Sequence, residues 1–260
     1  MNDTSTGPID VAALAEILDD AARSGRMVSR PADTTPLDVP TAYQVQRAAF
    51  ERRRARGERP LGVKLGFTSK AKMAQMGVDD LIWGLLSDGM LIEDGGTLDG
   101  GGLVHPRIEP EVAFLLGRPI SADTPPTQVA AAVAGVAVAY EVLDSRYQDF
   151  RFTLPDVIAD NASAAAFGVG PWHPPAGIAN TGLILEIDGR AVATGSSAAI
   201  LGDPLRSLAA AARLAGAAGI ELEPGWIVLA GAATAAVPLP PKAHVRVVGS
   251  GLGQVEVTVR

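Results

Sequence analysis

Residues 105–117 read HPRIEPEVAFLLG, and this stretch decides the fold of the 260-residue chain. Successive side chains of a β-strand point to opposite faces, so Glu109 and Glu111 lie on the same face. Two neighbouring carboxylates on an otherwise apolar strand repel each other and are costly to bury. A hard divalent cation between them removes both costs, and oxygen ligands suit Mg²⁺ or Mn²⁺. The stretch therefore predicts a strand that carries part of a metal site.

Two further apolar stretches each place one charged residue within a predicted strand. Residues 135–144 read GVAVAYEVLD and contain Glu141, and residues 62–67 read GVKLGF and contain Lys64. Three carboxylates and an isolated lysine on apolar strands indicate a metal site with an electrostatic or acid/base partner. The alternative is that the paired acids occupy an exposed strand face and that the lysine reaches water at a strand end.

The composition excludes several classes of function. The formal net charge is −7, which disfavours a general binder of nucleic acid or of anionic membranes. The chain has no cysteine, so disulfides, thiolate catalysis and cysteine-bound zinc are excluded. Residues 1–5 lack the basic and apolar regions of a signal peptide, and no apolar run approaches the roughly 20 residues that span a membrane. We therefore expect a cytoplasmic protein.

The order of the predicted elements favours the α+β class over a Rossmann or TIM fold, because strands follow one another without regular βαβ alternation. We expect a helical N-terminal part over residues 1–60 and a β-rich, metal-binding catalytic domain over residues 61–260, joined as one continuous unit. Thr41 is predicted to cap the second helix and Asp203 the last one. The predicted helices cover residues 8–25, 41–57, 69–77, 125–134 and 203–216. The predicted strands cover residues 62–67, 105–117, 135–143, 183–187, 191–194, 226–229, 244–248 and 254–259, with a hairpin turn at Asp188-Gly189.

The run ERRRAR at residues 51–56 is strongly basic and allows two interpretations. It is either a phosphate-binding patch or a solvated helix end whose cations lie near the negative pole of the helix dipole. We favour the solvated helix end.

Five segments together resemble the fumarylacetoacetate-hydrolase-like superfamily, and within it the branch of 2-hydroxypentadienoate hydratases and 4-oxalocrotonate decarboxylases. The Glu-Pro-Glu pattern followed by Tyr-Glu is specific in combination. The resemblance implies a mixed β-roll or barrel with a helical N-terminal part. It further implies that Glu109, Glu111 and Glu141 bind Mg²⁺ or Mn²⁺ and that Lys64 faces the substrate. The segments are residues 62–67, 106–114, 141–147, 159–163 and 229–236.

Two features of the resemblance favour the decarboxylases over the hydratases. Similar hydratases carry an aspartate before Phe-Gly, whereas Ile82 stands at that place here, with Asp79 and Asp80 nearby. They also tend to have Asp-Trp where this chain has Asp149-Phe150. Addition of water to a double bond needs a proton donor or a water-orienting base. Loss of CO₂ needs neither, and an apolar wall disfavours a charged carboxylate more than neutral CO₂.

The implied reaction is metal-dependent decarboxylation of 2-oxohex-3-enedioate, a 2-oxo dicarboxylate of catechol meta-cleavage degradation, to 2-hydroxypenta-2,4-dienoate. The alternative is hydration of 2-hydroxypenta-2,4-dienoate. Lys64 is expected to bind the C1 carboxylate or the developing enolate oxygen as an ammonium donor. Schiff-base formation is the alternative for this lysine, but a metal already supplies the electron sink.

Three further residues are candidate catalytic groups. Ser163 is expected to donate a hydrogen bond to the substrate, or else only to cap a turn. Asp160 is expected to hold the lysine or a metal-bound water, or else to take part in local turn chemistry. Arg146 is expected to receive the departing carboxylate, and its alternative is a structural salt bridge with Asp144 or Asp149.

Other classes of function fit the sequence less well than this reaction. Hydrolysis of an acylpyruvate needs a water activated by a general base, usually an acid–histidine pair, and His105, His173 and His244 offer no candidate of that type. A non-catalytic companion of an active hydratase is disfavoured by the complete set of three carboxylates and by Lys64. We expect a small-molecule substrate, a homo-oligomer and a complex with a paired hydratase, but neither nucleic acid nor membrane as partner.

Overall fold

The computed structural model describes residues 9–30, 36–69, 73 and 80–260, and in this part of the chain the architecture is mixed α+β, as predicted. The α-helices are α1 (Val11–Ser24), α2 (Val39–Ala55), α3 (Pro126–Ala131), α4 (Leu154–Ala159) and α5 (Pro204–Ala217). The strands are β1 (Pro60–Gly66), β2 (Ile82–Ser87), β3 (Gly96–Leu98), β4 (Arg107–Leu116), β5 (Val133–Leu143), β6 (Ala164–Val169), β7 (Gly182–Ile187), β8 (Arg190–Ser196), β9 (Ile227–Ala232), β10 (Val237–Pro238), β11 (His244–Gly249) and β12 (Gly253–Val259).

The strand quoted first, β4, lies in the middle of the larger sheet. The strand order of that sheet is β2-β1-β9-β4-β5-β6, and the short β10 also pairs with β4. β4 and β5 are antiparallel along their whole length, while β1 runs parallel to β9. Strands that are covered on both faces read as nearly continuous apolar runs, which explains the composition of β4 and β5.

The smaller sheet covers one face of the larger one. Its strand order is β3-β12-β11-β7-β8. The predicted hairpin is confirmed, since β7 and β8 pair antiparallel around Asp188 and Gly189, whose φ angles are 50° and 75°. Val138 of β5 belongs to the same hydrophobic core as Val247 of β11 and Val255 of β12. Because this core occupies one face of β4 and β5, the carboxylates must lie on the other.

The N-terminal helices form a second core against the edge of the larger sheet. Leu18 of α1 and Val45 of α2 pack in one cluster with Ile158 of α4. The buried side-chain amide of Gln46 donates to the carbonyl oxygens of Trp83 at 2.9 Å and of Ile158 at 3.1 Å. α2 is therefore attached directly to β2 and α4, two elements of the site described below. The division of the chain at residue 60 stays a prediction.

The helix caps agree with the sequence except at α2. Gly25 ends α1 with φ 60°, and the Asp203 side chain caps α5, both as predicted. The predicted cap at Thr41 is wrong, because α2 begins earlier and Asp38 accepts the Thr41 N–H at 2.8 Å. Proline is tolerated in the first turn of a helix, so Pro40 does not delay the start.

The basic end of α2 is occupied by acidic partners. Arg56 and Arg52 both bind the buried carboxylate of Asp19, with Nη1–Oδ2 and Nε–Oδ2 distances of 2.6 Å and 3.1 Å. These pairs join α2 to α1 and leave less positive charge for a phosphate. The predicted helix over residues 69–77 lies mostly outside the described residues. Within the described ranges, none of the helices combines the length and the apolar character that crossing a membrane requires.

Candidate metal centre and active-site cavity

Three buried carboxylates meet on the face of the larger sheet opposite the smaller sheet. The β4–β5 register places Glu141 directly opposite Glu109, and Glu111 follows two residues later on the same strand face. One oxygen from each of the three side chains lies within 4.8 Å of the other two. Their exposed fractions are 4% for Glu109 and 0% for the other two. The predicted convergence of these side chains is therefore observed.

The three buried carboxylates are electrostatically unfavourable without a positive charge between them. Burial raises the pKa of Glu111 well above its ordinary value, and the charges of Glu141 and Glu109 raise it further, while Lys64 opposes the rise. Burial also raises the pKa of Glu141 to about 7, with Lys64 again lowering it in part. Glu111 Oε1 and Glu141 Oε2 accept no hydrogen bond from the described part of the chain. Such oxygen-only, mutually repelling donors fit a hard divalent cation.

A glycine of β9 helps to hold the group in place. The N–H of Gly231 donates to Glu111 Oε2 at 2.8 Å. Gly231 has φ 109°, and a Cβ there would lie 2.2 Å from Thr68 Oγ1. Only glycine therefore allows this N–H to reach the carboxylate.

Lys64 lies on the same face of the sheet as the carboxylates. It pairs in register with Leu229 of β9, which in turn pairs with Ala113 of β4, and directly paired residues share a sheet face. The lysine is 2% exposed, and its Nζ lies 3.0 Å from Glu141 Oε1. Nζ also donates to the carbonyl oxygen of Ala162 at 2.9 Å. A carboxylate and a carbonyl are the partners that an ammonium group requires.

The carbonyl that binds Lys64 belongs to an unusual turn, residues 161–163. Asn161, Ala162 and Ser163 have φ angles of 51°, 50° and 60°, and each left-handed non-glycine residue is strained by roughly 1–2 kcal/mol. The Asn161 side chain holds the turn against β2, because its Oδ1 accepts from Leu85 N at 2.8 Å and its Nδ2 donates to Leu85 O at 2.9 Å. A Cβ on Gly84 would lie 2.6 Å from the carbonyl oxygen of Asn161, so the close approach requires glycine.

Arg146 and Asp160 form a buried ion pair at the start of this turn. Arg146 Nε donates to Asp160 Oδ1 at 2.5 Å, its backbone N–H donates to Oδ2 at 3.0 Å, and its Nη2 donates to the Asp160 carbonyl at 2.6 Å. Arg146 Nη1 also donates to the carbonyl of Asp144. Burial raises the pKa of Asp160 to about 6, and Arg146 opposes the rise.

The contacts of Arg146 and Asp160 differ from those expected of catalytic groups. Arg146 is paired with Asp160 rather than with the side chain of Asp144 or Asp149, and Asp160 contacts Arg146 rather than Lys64. Neither Arg146 nor Asp160 lines the cavity that adjoins Lys64 and Glu109, which is described next. Their contacts favour a structural role, and their predicted catalytic roles stay predictions.

A cavity of about 280 Å³ opens onto Lys64 and Glu109. Ser163 lines it, as expected of a group that contacts substrate. A second cavity of about 310 Å³ is also lined by Phe67 and Glu109. The apolar side chains of the first cavity are those of Phe67, Ile82, Leu143, Phe150, Phe152, Val157, Ala162, Ala235 and Ala236.

The cavity wall contains Ile82, the position at which the sequence resemblance favoured the decarboxylases over the hydratases. Ile82 is buried and faces the cavity. Asp80 points elsewhere, because its Oδ1 binds Arg213 Nη2 at 2.7 Å on the surface. Asp79 lies outside the described residues. Among the described residues that line this cavity, the only carboxylate is that of Glu109.

Sequence reasoning missed one charged residue of the cavity, Arg107. Its guanidinium carbon lies 4.6 Å from the centre of the Phe150 ring, and both side chains line the cavity. The signal was present in the sequence, because Arg107 precedes Glu109 by two residues and so shares its strand face.

Comparison with known proteins gives concordant matches. The family model described as fumarylacetoacetate (FAA) hydrolase C-terminal matches residues 90–260. A 4-oxalocrotonate decarboxylase of a Pseudomonas species is 50% identical over 244 residues, covering 94% of this chain and 95% of that protein. A 2-keto-4-pentenoate hydratase of Paraburkholderia xenovorans is 35% identical over 245 residues, 91% of each protein. The solved structure of a 4-oxalocrotonate decarboxylase from Pseudomonas putida, complexed with magnesium and adipate, has a TM-score of 0.92 at 36% identity, covering 96% of this chain and 97% of that chain.

Proposed function

The chain belongs to the fumarylacetoacetate hydrolase family, and from this premise we propose that it is a metal-dependent carboxy-lyase acting on 2-oxohex-3-enedioate. The products are 2-hydroxypenta-2,4-dienoate and CO₂. The observation that carries the proposal is the group of three buried carboxylates beside Lys64, at the end of a cavity whose walls are mostly apolar. The predicted family and its mixed β-roll fold with a helical N-terminal part are confirmed.

Glu109, Glu111 and Glu141 would hold the metal, which we propose to be Mg²⁺ or Mn²⁺. Their oxygen donors and the raised pKa values of Glu111 and Glu141 suit such an ion. When bound, the cation supplies Lewis-acid stabilisation of the negative charge that develops on the 2-oxo oxygen.

Lys64 would supply a hydrogen bond, and then a proton, to the same oxygen. An ammonium group has three N–H donors, and two of those on Lys64 are directed at Ala162 O and Glu141 Oε1. The third remains for the substrate. When the C5–C6 bond breaks and CO₂ leaves, the electron pair of that bond forms the C4=C5 bond and the C3=C4 bond shifts to C2=C3. The C2=O π pair moves to the oxygen, which becomes the oxyanion of a dienolate. A proton on that oxygen completes the enol product.

The apolar wall would favour the loss of CO₂. Ile82, Phe152 and Val157 offer no hydrogen bond to a carboxylate. Charge leaves the carboxylate during the reaction, so an apolar surface destabilises the reactant more than neutral CO₂. Ser163 would donate a hydrogen bond that orients the substrate.

The alternative function is hydration of 2-hydroxypenta-2,4-dienoate, which relatives named as hydratases support. Hydration requires a base that orients water and accepts a proton from it. The described cavity lining has no carboxylate apart from Glu109, which we assign to the metal. Decarboxylation is therefore favoured.

Product analysis tests the proposal. The purified protein with Mg²⁺ is given 2-oxohex-3-enedioate and, separately, 2-hydroxypenta-2,4-dienoate, and each assay is repeated with chelator. We expect metal-dependent release of CO₂ from the first compound and no hydration of the second. Hydration of the second compound without release of CO₂ from the first would establish the alternative.

We also propose that the protein acts in the cytoplasm as a homo-oligomer and associates with a paired hydratase. The cysteine-free sequence, which needs no oxidising compartment, supports the location. Light scattering of the protein alone and mixed with the hydratase tests the assembly. A monomer that stays separate from the hydratase would refute it.

A further inference from the structure

We propose that Arg107 is a specificity-determining residue that binds the second carboxylate of the substrate, with Phe150 as the platform beneath its guanidinium. The inference rests on the proposed function, because it assumes that the 2-oxo end of the substrate binds beside Lys64, at the metal held by the three glutamates. It assigns to Arg107 the contact that the sequence suggested for Arg146.

The positions of the charges along β4 match a substrate with a carboxylate at each end. Arg107 and Glu109 are two residues apart on one strand face, so their Cα atoms are separated by about 7 Å. This span is comparable to the length of a six-carbon diacid. A substrate whose 2-oxo end lies at Glu109 would therefore reach Arg107 with its other carboxylate, inside the same cavity.

The guanidinium of Arg107 has no anionic partner within the described part of the chain. The guanidinium lies over the Phe150 ring, and no ion pair or hydrogen bond joins its side chain to a described residue. Arg146, by contrast, is saturated by Asp160 and by backbone carbonyls. A half-buried cation beside apolar side chains is unfavourable unless an anion joins it. Arg107 is thus the cation that is available to a substrate.

The contact with Phe150 holds the guanidinium of Arg107 in place, where it can bind a carboxylate. A cation over an aromatic ring is attracted by the ring face, and the N–H fork of arginine matches a carboxylate in two parallel hydrogen bonds. Phe150 itself is supported by edge contacts with His105 and Phe152, at ring-centre distances of 5.8 Å and 5.3 Å. It has φ 56°, a strained conformation that persists where its surroundings impose it. The platform is therefore built into the fold.

Binding of this kind should affect selection of the substrate more than the chemical step. An interaction that stabilises the carboxylate before CO₂ leaves is no stronger in the transition state, so it does not raise kcat. Loss of Arg107 should consequently raise KM without lowering kcat. A residue that merely supported the fold would lower both kcat and the melting temperature.

The test compares two ligands on the Mg²⁺-loaded protein by calorimetry. Adipate carries a carboxylate at each end of a six-carbon chain, whereas pyruvate offers only a 2-oxo acid. In Arg107→Gln, adipate affinity should fall about tenfold or more, while pyruvate affinity should change less than about twofold. Arg107→Lys should restore part of the adipate affinity. Arg151→Gln, an exposed arginine outside the cavity lining, is the matched control and should bind both ligands as the wild type does.

Two results would overturn the inference. Equal weakening of adipate and pyruvate would assign Arg107 to the 2-oxo end, and unchanged binding of both would remove it from the site. Neither result depends on turnover. If the wild type released no CO₂ but the variants discriminated between the two ligands as expected, the proposed function would fail while the carboxylate subsite stood.

Discussion

Glu109 and Glu141 lie directly opposite each other on adjacent antiparallel strands, both buried and both acidic. Like charges at such a cross-strand pair destabilise a sheet, so the arrangement is stable only with compensating positive charge. Lys64 provides part of it, at 3.0 Å from Glu141. The negative charge that Lys64 leaves uncompensated is the physical argument for a bound cation.

Replacing Glu141 by glutamine should weaken metal binding. The variant removes one negative oxygen donor but keeps the size of the side chain, so affinity for Mg²⁺ should fall more than about tenfold. Isothermal titration calorimetry with Mg²⁺ measures this affinity. Glu93→Gln, which changes an exposed acid outside the carboxylate group and the cavity lining, is the control. An unchanged titration in Glu141→Gln would refute the proposed ligand set.

Replacing Lys64 by alanine should abolish turnover while the fold and metal binding are retained. The variant removes the donor next to the C2 oxygen, and loss of one such donor slows a reaction by about 100-fold to 1,000-fold or more. It also removes a cation beside Glu141, so Mg²⁺ affinity should not decrease. CO₂ release, circular dichroism and metal titration together check these points. Undiminished activity would exclude Lys64 from the reaction.

The metal-free protein should lose stability as the pH rises from about 5 to 8. The folded-state pKa of Glu141 is raised from 4.5 to about 7, so the folded form binds the proton more tightly than the unfolded form. The stability that this provides is complete below pH 4.5 and lost as the pH passes about 7. The free energy of unfolding should fall by roughly 3 kcal/mol across this window.

Chemical denaturation with chelator present, at several pH values, measures this dependence. The Glu141→Gln variant should show a weaker dependence, and saturating Mg²⁺ should remove it in the wild type. A metal-free wild type that is more stable at pH 8 than at pH 5 would contradict the assignment of the raised pKa.

The side chain of Asn161 should be needed for activity although it lies outside the cavity lining. Asn161→Ala loses two hydrogen bonds to Leu85 and keeps a left-handed Cβ, so we expect a loss of about 2–3 kcal/mol of stability and a lower kcat. Asn161→Gly should be less destabilised, because glycine relieves the strain. Thermal unfolding and steady-state kinetics compare them. Equal kcat in wild type and both variants would show that the turn does not position Lys64.

Replacing Ile82 by aspartate should move the reaction towards hydration. The new carboxyl group would face the cavity and offer a proton donor or a base for water. Product analysis on both substrates measures the ratio of the two activities. Ile82→Asn, which is polar but cannot ionise, is the control. No gain of hydration in Ile82→Asp would count against the role that we give to this position.

The carboxylate-bearing face of the site was predictable because it depends on a local rule. The two-residue period of a strand aligns Glu109 with Glu111, and the same rule would have added Arg107. Apolar runs placed Glu141 and Lys64 on covered strands, and the family resemblance implied that both join the same site. The cap of α5 at Asp203 was equally local and correct. The cap of α2 was placed too late, because a proline in the first turn was taken to precede the helix.

The turn at residues 161–163 was not predictable from sequence. It contains no glycine, and its left-handed backbone is imposed by distant contacts of Asn161 with Leu85 and of Asp160 with Arg146. The choice of Asp160 over Asp144 as the partner of Arg146 depends on the same packing. Pairings of this kind are set by tertiary structure, so reading the chain locally could only leave them as alternatives.

The contact between Gly84 and Asn161 has a mechanical consequence. Backbone touches backbone there without an intervening side chain, so the outermost strand of the larger sheet and the carbonyl that orients the ammonium of Lys64 must shift together. A displacement of that edge of the sheet would therefore also move the turn whose carbonyl group binds Lys64.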